Sequence, residues 1–134
     1  MALTLDHVVV PSRDRNEAAR FFAEIFDLAV SEQDGFFVPV RADTLTLLFD
    51  SHAEMVERLG DPGIELAPQH YAFVTTDTEF DAIFDRIRSL NVEFGSGPFS
   101  VNDGKTNNRF GGRGVYFRDP SGHILEVMTR PHFG

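Results

Sequence analysis

The feature that most limits what this chain can fold into is an internal repeat. LDHVVVPSRDRNEAARFF, starting at Leu5, lies over PQHYAFVTTDTEFDAIFD, starting at Pro68, at a constant spacing of 63 positions. His7 falls on His70, Asp14 on Asp77 and Phe21 on Phe84. In a chain of 134 residues, each copy is a supersecondary unit too small to bury a core by itself, so the two are expected to pair.

Each copy opens on a short strand pattern, Leu5 to Val10 stopped by Pro11 in the first and His70 to Val74 in the second. A helical stripe follows. In the first copy it is Ala18, Phe21, Phe22, Ile25 and Phe26 behind Asn16 as N-cap; in the second it is Phe80, Ile83, Phe84, Ile87 and Leu90. Further strands are expected around Gly35 to Val40 and Thr44 to Phe49, then around Val92 to Phe94, Val115 to Phe117 and His123 to Met128. Between the copies, Ser51 to Pro68 is acidic and broken by Asp61-Pro62-Gly63. It has room for one short helix, His52 to Leu59, ended by Gly60 and Pro62. The pattern predicts an α+β chain of two βαβββ modules. Module one covers residues 1–50, a connector 51–68 and module two 69–134, with a mixed sheet carrying helices on one side.

Composition narrows the function. Hydrophobic residues make up 42 %, with fourteen Phe and no Trp, enough for a phenylalanine-rich core. A formal net charge of −9 argues against nucleic acid and anionic membrane surfaces, which attract basic faces. With no Cys there is no disulfide, thiolate metal site or cysteine nucleophile. No signal-peptide pattern opens the chain and no apolar run approaches a membrane span, so a cytoplasmic protein is expected.

Within YFRDPSGHILEVMTR, one carboxylate, Glu126, interrupts the apolar run His123 to Met128. Burying a carboxylate without a partner costs several kcal/mol or more. Strand alternation puts Glu126 on a face with Ile124 and Met128, and His123, Leu125 and Val127 on the other. His7 shares a face with Leu5 and Val9, and His70 with Ala72 and Val74, so all three polar groups fit the concave side of one curved sheet. Two imidazoles and a carboxylate suit a divalent cation with open coordination positions, and such a cation supplies the counter-charge Glu126 needs. The blander alternative is a hydrogen-bonded strand histidine beside a carboxylate paired with an arginine.

Three pieces carry a family resemblance: LDHVVV with its helix, QHYAFV with its helix, and YFRDPSGHILEV. In order and rough spacing, over nearly the whole chain, they resemble the vicinal oxygen chelate superfamily, the glyoxalase/bleomycin-resistance/dioxygenase group. The resemblance implies two paired βαβββ modules curled into an incomplete barrel around a divalent metal, with His7, His70 and Glu126 as its ligands. Many metal glyoxalases have a fourth protein ligand late in the first module; Thr44 to Phe49 offers no carboxylate or imidazole there. Tyr116, with Asp119, Pro120, Gly122 and Glu126, resembles the second half of the extradiol dioxygenase signature. Asn107, Asn108 and Arg109 stand where its histidine belongs. The same pattern resembles metal-dependent fosfomycin-resistance enzymes, whose potassium loop and C-terminal arginine segment are not evident.

The resulting expectation is a metal-dependent enzyme with Lewis-acid chemistry on a small oxygen-bearing substrate. The reaction types open to it are lyase, isomerase, thiol transferase and dioxygenase. The metal is Fe, Mn, Ni, Co or Zn, and Glu126 and Tyr116 serve as catalytic groups. Substrate contacts are assigned to Tyr116, Lys105 and Arg109; the latter two belong, with Arg113, to a basic loop that also reads as an ordinary solvated hairpin. Arg118 is expected to pair with an outer-face carboxylate, and His52, His123 and His132 need no function. A homodimer sharing sites between subunits is expected. The alternative function is sequestration of an antibiotic or other small molecule, as in bleomycin-resistance proteins.

Overall fold

The computed structural model describes residues 2–133. The chain divides into two compact units, one up to Ala67 and the other from Pro68. The first runs β1 (His7–Ser12), α1 (Arg15–Phe26), β2 (Phe37–Ala42), β3 (Leu45–Ser51) and α2 (His52–Leu59). The second runs β4 (His70–Val74), α3 (Asp77–Ser89), β5 (Phe94–Gly95), β6 (Gly114–Arg118) and β7 (Ile124–Met128). Each holds its own open mixed sheet, in the order β1-β3-β2 and β4-β7-β6-β5. The strands expected in one curved sheet therefore lie in two. The extra strand of the first module is reduced to an isolated antiparallel pairing of Val30 with Val40.

Local chemistry explains the first unit. Asp14, not Asn16, caps α1: its Oδ1 accepts from the amides of Asn16 at 3.0 Å and Glu17 at 3.1 Å, filling two orphan donors of the first turn. Pro11 lies inside β1 rather than ending it. The strand is at an edge of the named sheet, where a residue without an N–H is tolerated. Val10, Val38, Val40, Leu47 and Phe49 bury one face of the sheet, and the Phe22 ring of α1 lies 5.8 Å from Phe49. Each such side chain contributes roughly 1.5–3 kcal/mol by leaving water. Ser51 caps α2 and Gly60 ends it in the left-handed region, φ 67°, which a residue without a Cβ adopts at little cost.

β3 runs past Phe49 to include Asp50, a carboxylate on the His7 face of the sheet. It is 1 % exposed and paired with Arg58 of α2, whose guanidinium also lies 3.8 Å from the Phe36 ring centroid.

In the second unit, Thr76 caps α3, and Phe80, Ile83 and Ile87 are its buried stripe. The turn before β7 is built by Asp119, whose Oδ1 accepts from the amides of Ser121 at 3.0 Å and His123 at 2.8 Å, while Gly122 takes φ 90°. Burial pushes the Asp119 carboxyl up, and these amide bonds oppose it. Arg118 donates to the Gly122 carbonyl at 2.8 Å, not to an outer-face carboxylate. Among the described residues no helix is long and apolar enough to cross a membrane.

Candidate metal centre

Register decides which side chains meet in the second unit. β4 and β7 run parallel with Ala72 opposite Glu126 and His70 opposite Ile124; β6 and β7 run antiparallel with Tyr116 directly opposite Glu126. His70, Tyr116 and Glu126 therefore share one face, because side chains two apart in a strand point the same way. His70 Nε2 lies 3.1 Å from Glu126 Oε1, and the His70 and Tyr116 rings are 5.9 Å apart. Glu126 is only 3 % exposed, and its Oε2 is buried with no hydrogen-bond partner.

Tyr116 is buried, and its hydroxyl accepts a bond from Arg109 Nη1 at 3.0 Å. Burial first, then the hydrogen bond and charge of Glu126, push the phenol up to about 12, against a smaller downward pull from Arg109. Arg109 also donates to the Ser96 carbonyl at 3.3 Å, so its guanidinium is held from two sides.

The next residue, Phe110, sits in a 3-10 turn (Arg109–Gly111) with φ 55°. An aromatic residue in this region costs of order 1–3 kcal/mol. Its ring lies 4.5 Å from that of His132, in the segment after β7. His132 Nδ1 is in turn 3.7 Å from Glu126 Oε2. No strand or helical period marked His132 in the sequence; only the folded path of this segment brings it to the site.

The remaining assigned residues divide. Arg109 reaches Tyr116, whereas Lys105 stands exposed in a loop organised by Asp103, with no contact to His70, Tyr116 or Glu126 among the described residues. The Ser96 hydroxyl and then the Lys105 and Ser96 amides hold the Asp103 carboxyl below its usual range. Arg113 bonds to Asp77 and Asp81 of α3, so the basic loop is not one cluster. His123 faces away from Glu126; its Nδ1 accepts the Gln69 amide at 2.9 Å. His7 belongs to the first unit, on the exposed face of β1, with Nδ1 2.7 Å from Asp6 Oδ2. Within either unit, no three His, Asp or Glu side chains among the described residues are gathered as a metal cluster.

A buried carboxylate beside an imidazole, with one oxygen making no hydrogen bond, is a donor set suited to a cation. The model of the Glyoxalase/Bleomycin resistance protein/Dioxygenase superfamily matches residues 4–127. The chain belongs to this superfamily. It is similar to the solved structure of Oxidase ChaP-H1, at 40 % identity and a TM-score of 0.85 over 99 % of this chain and 100 % of that one. Oxidase ChaP-H2 matches at 39 % identity and a TM-score of 0.84, over 98 % and 96 % of the two chains. The metallothiol transferase FosB of Shouchella clausii is 24 % identical over 93 % of this chain and 79 % of its own length. The superfamily assignment and these relatives, named for two different reactions, agree on an enzyme-rich family and leave the reaction itself to the site.

Proposed function

We propose that this chain is a divalent-metal-dependent enzyme acting on a small oxygen-bearing substrate, with His7, His70 and Glu126 as metal ligands. The observation that carries the reading is the 3.1 Å spacing of His70 Nε2 and Glu126 Oε1, with Glu126 buried and Oε2 making no hydrogen bond. Donor atoms on adjacent positions of one first-row cation, each bonded at roughly 2.0–2.2 Å, stand about 3 Å apart. His7 suits the third position chemically. With Nδ1 against Asp6, its Nε2 is left as the donor, the arrangement by which carboxylates orient metal-binding imidazoles. Fe, Mn, Ni, Co and Zn are all compatible with two imidazoles and a carboxylate.

A cation held there supplies Lewis acidity to a substrate oxygen. The rest falls to the chain's own side chains. Tyr116 keeps its proton at neutral pH and offers an O–H donor beside Glu126. Arg109 fixes that phenol in place and brings positive charge towards an anionic substrate oxygen. Lys105 is proposed to meet the substrate only at the periphery. Similarity to the ChaP oxidases over nearly the whole chain favours oxidation of an organic substrate as the reaction class. Thiol transfer is the class supported by FosB.

In this reading the two units act as one functional domain, and the protein is a homodimer whose sites draw on both subunits. Metal analysis and Co(II) titration test the ligand set. His7→Ala, His70→Ala and Glu126→Gln should each weaken binding by more than about a hundredfold, beyond the usual effect of altering a residue behind a ligand. Three variants that bind like the parent would remove the site. A parent that binds no divalent cation would leave small-molecule sequestration as the function. Mixing His7→Ala chains with Glu126→Gln chains tests the sharing: partial recovery of binding is expected, and none occurs if each chain completes its own site.

A further inference from the structure

Glu126 has two oxygens with different surroundings. Oε1 faces His70 Nε2 at 3.1 Å, whereas Oε2 is buried and makes no hydrogen bond, with His132 Nδ1 at 3.7 Å. That imidazole is not a loose surface group: it is largely buried and its ring lies 4.5 Å from Phe110 at an interplanar angle of 35°. Phe110 is itself held at φ 55°, in the turn whose preceding residue, Arg109, bonds the Tyr116 hydroxyl. One turn thus supports both neighbours of the carboxylate, the phenol through Arg109 and the imidazole through Phe110.

We infer that His132 is a positioning residue for Glu126, donating its Nδ1–H to Oε2 so that Oε1 alone is presented beside His70. A carboxylate free to rotate offers either oxygen or both; one pinned through its outer oxygen binds in a single geometry. Groups hydrogen-bonded behind metal ligands act in this way, and their loss typically costs ten- to hundredfold in metal affinity. The 3.7 Å separation is an ion-pair distance, longer than a hydrogen bond, and the inferred bond requires it to shorten when Glu126 holds a cation. The inference rests on the proposed metal role of Glu126.

Co(II) titration of the purified full chain, read by its d–d absorption, tests it. His132→Ala should weaken Co(II) binding about ten- to hundredfold and shift the absorption bands. His132→Asn, whose side-chain amide places an N–H near the position of Nδ1, should restore most of the affinity and the parent spectrum. Phe110→Leu, which keeps the imidazole and removes the ring beside it, should weaken binding less than His132→Ala. If His132→Ala binds like the parent while Glu126→Gln does not, the inference fails and the metal reading stands. If His132→Asn is as weak as His132→Ala, the imidazole acts as more than a hydrogen-bond donor and the positioning role is overturned. If the parent binds no Co(II), both fall together.

Discussion

The two units carry the same strand register and opposite chemistry. His7 stands opposite Thr46 as His70 stands opposite Ile124, so Leu48 in β3 is the counterpart of Glu126 in β7. Across the next strand pair, Pro39 faces Leu48 as Tyr116 faces Glu126. The second unit has a carboxylate and a phenol where the first has Leu and Pro. The first unit does bury a carboxylate on the corresponding face, but two residues later, at Asp50, and answers it with Arg58. Both units therefore obey the rule that a buried charge needs a partner. In each, one carboxylate oxygen is buried without a hydrogen bond, Asp50 Oδ1 and Glu126 Oε2, so the difference lies in the partner of the other oxygen: Asp50 meets a guanidinium, which is always charged, and Glu126 meets an imidazole, which can also ligate a cation.

Glu126→Leu breaks this comparison most directly, since it makes β7 match β3. Divalent-metal binding should be lost, while the metal-free protein should hold its stability or gain about 1–4 kcal/mol, as when apolar groups replace buried charges. Metal titration and urea unfolding of the metal-free protein measure the two effects; a large fall in stability would show that Glu126 is structural.

Arg58→Ala applies the converse to the first unit by stranding the Asp50 carboxylate. Loss of about 2–3 kcal/mol is expected in denaturant unfolding, below the figure for a fully buried pair because Arg58 keeps partial contact with water. A Arg58→Ala, Asp50→Asn double variant should recover part of it.

His123→Ala sharpens the contrast between the two faces of β7. It should cost about 1–2 kcal/mol through the lost acceptor for the Gln69 amide and leave metal stoichiometry unchanged, because His123 points away from Glu126. Loss of the metal would mean that the Gln69 bond sets the position of the neighbouring His70.

The smallest effect is read by ultraviolet titration of the two tyrosines in metal-free protein. Both are raised: Tyr71 by burial and then by the Asp119 charge, and Tyr116 to about 12. An unfolded tyrosine ionises near 10. The folded chain retains the Tyr116 proton above that pH while the unfolded chain releases it. This contribution to stability is whole below about 10 and is lost as pH rises through about 12. Arg109→Ala should move the phenol higher still. A phenol titrating near 10 would place Tyr116 in water, away from Glu126.

Much of this was legible in the sequence for a physical reason. Periodicity reports which face of an element is apolar, and it marked both long helices, the short helix His52–Leu59 and the alternation that sets Glu126 apart from His123. The repeat equated His7 with His70, and both open their strands. Local hydrogen bonds were harder to read. Asp14 competed with Asn16 for the same cap, and Pro11 looked like a stop because a lone strand pattern does not say which edge faces a neighbour.

By itself, the sequence determined the two βαβββ patterns and the carboxylate in an apolar strand, because each is written in residues a few positions apart. Only tertiary structure decided that the strands form two sheets and that Tyr116 stands across from Glu126. Folding alone likewise joined Arg109 to Tyr116, turned Arg113 to α3, and carried His132 to within 3.7 Å of Glu126. These pairings depend on register and on the paths of irregular loops. Both are set by packing between residues distant in sequence, and no local period records them.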